Sequence, residues 1–93
     1  MSLVGSGIIG PGVADYFDVV LRTGGSYLVH VHPFEAGVDF DLKIFDENGN
    51  LVSEDISPAS DAYCAVTPRW TGPFRMVVES ARGASAFRIE VVD

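Results

Sequence analysis

The chain has a single cysteine, Cys64, so no intrachain disulfide can form, and neither C-x-x-C nor C-x-x-H spacing is present for a cysteine zinc site. A lone cysteine in an apolar segment reads either as a small buried hydrophobe or as a reactive thiol, and it leaves the redox compartment open. Basic residues are also scarce. Arg22, Lys43, Arg69, Arg75, Arg82 and Arg88 are scattered along the sequence, against 13 acidic residues, for a net charge of −7. Nucleic acid is held by many Lys and Arg contacts that release counterions, so it is excluded as a partner. An acidic surface disfavours anionic membranes and attracts cations such as Ca2+. No apolar run approaches the ~20 residues of a membrane-spanning helix, so no membrane insertion is expected. The first seven residues carry no basic start and no apolar core, so they do not read as a signal peptide. Residues 1–10 are expected to be a leader or linker, and residues 11–93 a single β-sandwich domain.

The spacings that carry catalysis are missing as well. G-x-S-x-G, H-E-x-x-H and G-x-x-x-x-G-K do not occur. A sandwich of this size leaves little room for a ligand pocket of roughly 300–1,000 Å3. The chain is therefore expected not to be an enzyme.

What the sequence does contain is alternation. Phe17, Val19 and Leu21 share one face of a segment whose other face carries Asp18. Tyr27, Val29 and Val31 alternate with Leu28, His30 and His32, and Phe40, Leu42 and Ile44 alternate with Asp39, Asp41 and Lys43. A period of two fits strands with one face in a core and one in water. Asn48-Gly49 tolerates positive φ and predicts a hairpin with a primed turn between 39–46 and 50–55. Further strands are predicted at 61–67, from Phe74 to Glu79 and from Phe87 to Val92, with a proline-bounded turn at Pro68–Pro73. No helical period appears. The expected fold is all-β: an antiparallel, jelly-roll-like β-sandwich of about seven to eight strands.

The order of these segments supports a resemblance. Asp15 to Val19 is followed by Gly25 to Val29, then by D-x-D-L-x-x-x-D-x-N-G-N-L-V from Asp39 to Val52, then by Thr71 to Glu79 and Phe87 to Val91. From Pro11 to Val92 the chain resembles the bacterial pre-peptidase C-terminal domain, to which the collagen-binding domains of bacterial collagenases are related. The resemblance implies a secreted or cell-surface, non-catalytic accessory module. Such a module would assist the secretion, localisation or substrate binding of an extracellular hydrolase, with a protein or an extracellular polymer as partner. Calcium-binding members use an acidic segment ahead of the first strand, whereas Val4–Val13 contains no carboxylate.

Several residue groups carry candidate chemistry beside a plainer reading. Asp39 and Asp41 lie two apart on one strand face, where like charges repel unless a cation intervenes, so they are candidate calcium ligands; otherwise they form a solvated face with Lys43. This makes a calcium- or other metal-binding module the alternative function, although no cofactor is required. Asp46 to Asn50 has the opening of an EF-hand loop, but Ser57 stands where that loop needs its Glu, and the hairpin accounts for the segment. His30-Val-His32 points two imidazoles the same way, as zinc and copper sites need, or else places two solvent-facing residues on the polar side of a strand. Trp70, in the proline-bounded turn, is either a partner-binding anchor or a cap on one end of the core.

Overall fold

The computed structural model describes residues 2–93. Eight strands follow in order: β1 (Ser2–Ile9), β2 (Ala14–Leu21), β3 (Tyr27–Pro33), β4 (Asp39–Phe45), β5 (Leu51–Asp55), β6 (Ala62–Val66), β7 (Gly72–Arg82) and β8 (Ser85–Val92). They form two four-stranded antiparallel sheets, ordered β1-β8-β3-β6 and β2-β7-β4-β5. β1 pairs with β8, β2 with β7, β3 with β6 and β4 with β5. The chain thus folds as one long antiparallel hairpin, which then wraps so that alternate pairs fall in opposite sheets. This is the jelly-roll winding, and it matches the expected class. No helix long and apolar enough to cross a membrane is present among the described residues.

The alternation read from the sequence sets which face is buried. Val29 and Val31 of β3, Phe40, Leu42 and Ile44 of β4, Met76 and Val78 of β7, and Phe87 and Ile89 of β8 are all fully enclosed. Phe87 lies at the centre of this layer, with edge-on ring contacts to Phe40 at 5.8 Å and Phe17 at 6.1 Å. Such contacts add to simple area burial because the positive ring edge meets the negative face.

Two features differ from the sequence reading. The segment expected as a leader or linker, residues 1–10, supplies β1, so the sandwich takes in Ser2–Ile9 as an edge strand. Its alternation is hidden because two of its inward positions are glycines. Gly5 lies opposite Ile89 and Gly7 opposite Phe87. A Cβ on Gly5 would come within 2.5 Å of the Phe17 ring, and one on Gly7 within 2.7 Å of Asp15 Oδ2 and 3.0 Å of the Phe87 ring. The bare strand lets aromatic rings from β2 and β8 fill the space that side chains of β1 would occupy.

The β4–β5 turn is the second difference. Its loop is Glu47-Asn48-Gly49, closed by the Asp46 N–H donating to Asn50 O at 2.9 Å and the Gly49 N–H donating to Asp46 O at 3.1 Å. Only Gly49, at φ +83°, adopts a positive φ there, so Asn48 does not take the primed-turn conformation. The Asp46 carboxylate accepts the N–H groups of Asn48 and Asn50, each at 2.9 Å, and the Asn50 side-chain amide at 3.1 Å. This side-chain cap favours an ordinary turn followed by a left-handed glycine, the three-residue hairpin.

Removing the central ring tests this packing. Phe87→Ala should cost about 3–5 kcal/mol in urea unfolding, whereas Val20→Ala, on the exposed side of β2, should stay within about 0.5 kcal/mol. A loss below about 1 kcal/mol for Phe87→Ala would show that the ring is not the centre of the core.

Candidate functional site

β3 is an interior strand of its sheet, paired on one side with β6 and on the other with β8. Burying Val29 and Val31 turns His30 and His32 to the outer face, and pairing on both edges fixes where they point. The register continues from Val31 opposite Ala62, which brings Asp61, just ahead of β6, beside His32. His30 Nε2 lies 2.7 Å and His32 Nδ1 3.0 Å from the same oxygen, Asp61 Oδ2. The three ligand-type atoms lie within 4.8 Å of one another, and these residues form the one such metal-competent group among the described residues.

Burial on its own would push the Asp61 carboxyl up, but the hydrogen bonds from His32 and His30 hold it below the usual carboxylate range. Asp61 is therefore ionised at neutral pH and can only accept. Both contacting ring nitrogens must then carry protons: Nε2–H on His30 and Nδ1–H on His32.

Aromatic and charged neighbours extend this cluster across the outer face. Tyr63, opposite His30, stacks on it with centroids 4.3 Å apart and planes 3° from parallel. Phe34 meets His32 edge-on at 5.4 Å, and the Arg88 guanidinium sits 5.8 Å above the Phe34 ring. Across β8, Glu90 lies opposite His30 and Arg88 opposite His32, and these two β8 side chains form an ion pair. Tyr63 and Phe34 remain about half exposed.

The acidic pair singled out in the sequence sits on the other sheet. Asp39 and Asp41 do share the outer face of β4, and each has one buried carboxylate oxygen, Oδ1, with no hydrogen-bond partner. Asp41 lies opposite Glu79 on β7 and Asp39 opposite Arg82, while Lys43 reaches toward Glu79 at 3.9 Å. Burial, followed by the charges of Asp39 and Glu79, raises the Asp41 carboxyl above its ordinary value. Asp15 faces Gly7 of β1, and Asp46 is engaged by its own loop, so neither is brought to this pair. Asp39 and Asp41 are thus two neighbouring carboxylates and belong to no three-ligand group among the described residues.

No protein-family model and no curated protein matches this chain. The site's chemistry therefore rests on its own geometry.

The remaining candidates have structural partners. Trp70 donates its Nε1–H to Glu47 Oε1 at 2.8 Å and stacks loosely on Phe74, which ties the β6–β7 turn to the β4–β5 hairpin. Cys64 is buried with its thiol pushed up by burial, which removes thiolate reactivity. Asp61 is the residue sequence reasoning missed. It lies 29 positions from His32, and only the β3–β6 register brings the two together.

The two aspartates respond oppositely to acid. Asp41 has a raised folded value, so its ionisation opposes folding at neutral pH, and that penalty disappears as the pH falls below the ordinary value of 3.8. Asp41→Asn should therefore raise the melting midpoint at neutral pH by about 1–8 °C, the scale of one relieved cross-strand repulsion, and the gain should vanish in acid. Asp61 has a depressed folded value, so its contribution is complete above 3.8 and is lost as pH falls through the depressed value. Asp61→Asn should lower the midpoint at neutral pH, and the deficit should close in acid. Thermal melts in chelating buffer across this range read both signs, and a shared sign would refute the assignment.

Proposed function

We propose that this chain is a non-catalytic accessory module of the pre-peptidase C-terminal type, which holds an extracellular hydrolase against a protein polymer through the outer face of the β3-containing sheet. The observation that carries this reading is the continuous strip Tyr63–His30–His32–Phe34 on that face, flanked by Arg88. Outward aromatic residues and arginine are the groups that anchor protein interfaces. The form of the strip favours a peptide over a sugar. Tyr63 and His30 are cross-strand neighbours stacked face to face, so their rings stand up from the sheet and present edges and polar atoms. A sugar would need an open ring face; an extended peptide can use edges, ring nitrogens and the phenol as hydrogen-bond partners while its side chains lie beside Phe34.

The test is retention on immobilised gelatin, with cellulose and chitin as parallel arms. Retention on gelatin alone, weakened at least about fivefold by Tyr63→Ala and by Phe34→Ala, is the expected result. Retention on cellulose or chitin alone would replace the protein polymer with a polysaccharide. Loss of retention on all three, or binding indifferent to both variants, would overturn the reading.

A further inference from the structure

We infer that His30, His32 and Asp61 form a binding site for a borderline divalent metal ion of the zinc class. This goes beyond polymer binding and does not depend on it, because the metal would be held by atoms of this chain alone.

The donor set comes first. Two imidazole nitrogens and one carboxylate oxygen suit zinc and its late first-row neighbours, whereas calcium takes six to eight oxygens and has little use for nitrogen. The dimensions agree. Zinc–nitrogen and zinc–oxygen bonds of about 2.0–2.2 Å at tetrahedral angles place ligand atoms about 3.3 Å apart. Two edges of the triangle measure 2.7 and 3.0 Å, and no edge exceeds 4.8 Å. Admitting an ion opens these two short edges toward that spacing. Both histidines stand on a strand hydrogen-bonded along both edges, which supplies the rigidity a metal site needs.

Access and charge are also suitable. Side-chain exposure is 18% for His30, 36% for His32 and 30% for Asp61, so solvent reaches the triangle. The neighbouring charges, Arg88 and Glu90, neutralise each other and leave the Asp61 carboxylate as the local charge. Oxygen ligands from Asp39 and Asp41 belong to the other sheet and do not compete.

Loading the ion has a specific chemical consequence. A neutral imidazole carries one proton, and the metal needs the bare nitrogen. In the metal-free chain the protons sit on His30 Nε2 and His32 Nδ1, facing Asp61. On binding, each ring gives that proton to solvent and takes one up on its opposite nitrogen, so His30 becomes the Nδ1–H tautomer and His32 the Nε2–H tautomer. The proton count is unchanged, and the ion replaces two hydrogen bonds with three coordinate bonds.

Long-range 1H–15N spectra of the full chain, recorded in chelator and then with Zn2+, report this directly. The expected result is saturation at one Zn2+ per chain with both tautomers inverted, no inversion with Ca2+ at the same concentration, and intense visible bands on substitution with Co2+, as a tetrahedral site gives. His32→Gln and Asp61→Asn should each weaken Zn2+ affinity by at least about tenfold in calorimetry while the far-ultraviolet spectrum stays that of a folded sandwich. His32→Gln guards against misfolding, since His32 is the most exposed of the three. Unchanged tautomers at saturating Zn2+, or affinity unmoved by both variants, would overturn the site and reduce the triad to a hydrogen-bonded cluster. Gelatin retention in chelator reads polymer binding separately, so either proposal can fail without the other.

Discussion

The constraint on which the molecule depends is that each strand must put its apolar face into a single thin layer between two sheets. A small domain buries a modest fraction of its surface, so that layer cannot be left half filled. Phe87, between Phe17 and Phe40, fixes its thickness, and the glycines of β1 make room for two of the three rings. Once Val29 and Val31 of β3 are enclosed, the pleat leaves His30 and His32 no direction but outward. The candidate face is thus the reverse side of the core: a one-residue slip of β3 would bury both imidazoles and expose two valines.

A net charge of −7 on so small a domain has to be managed locally. Most of the aspartates described above have partners. Asp46 is held well down by the backbone of Asn50 and the rest of its own loop, Asp18 by the Arg75 guanidinium, and Asp55 by the N–H groups of Tyr63 and Ser57 against its partial burial. Asp55 in doing so links β5 of one sheet to β6 of the other. Asp39 and Asp41 are the exception, with buried oxygens left unpartnered beside Glu79. The two sheets therefore differ in chemical character: one outer face carries the unpartnered oxygens of Asp39 and Asp41 among ion pairs, and the other carries rings, imidazoles, the Arg88–Glu90 pair and the carboxylate that two histidines share.

That contrast bears on the accessory role proposed for the β3 face: contrary to the expectation of little room for a pocket, clefts of about 510 and 530 Å3 open beside Phe17 and beside Trp70, but their linings do not include His30, His32 or Asp61. A flat sheet face offers area and register, not enclosure, so recognition has to come from the row of side chains that the pleat lines up. The His30–Asp61–His32 triangle lies within that row, so a metal there would stiffen it beside Tyr63 and Phe34.

Much of the fold was legible in the linear order of residues, because alternation is local. Strands β2 to β8 and the position of the Asn48-Gly49 turn follow from neighbours within a few positions. Strand β1 did not, because glycine at two inward positions erases the period that marks a strand, and the room it leaves is taken by rings far along the chain. The turn chemistry was half legible: the glycine that takes the positive φ is marked by Asn48-Gly49, whereas the turn type is selected by the Asp46 carboxylate capping the N–H groups of Asn48 and Asn50. The sequence determined that His30 and His32 share a face, since they are two residues apart on a strand. Only the tertiary structure decided that Asp61 joins them and that Asp39 and Asp41 stand apart on the opposite sheet. The physical reason is that strand periodicity acts over a few residues, whereas the meeting of His32 with Asp61 depends on antiparallel register between segments separated by a complete hairpin.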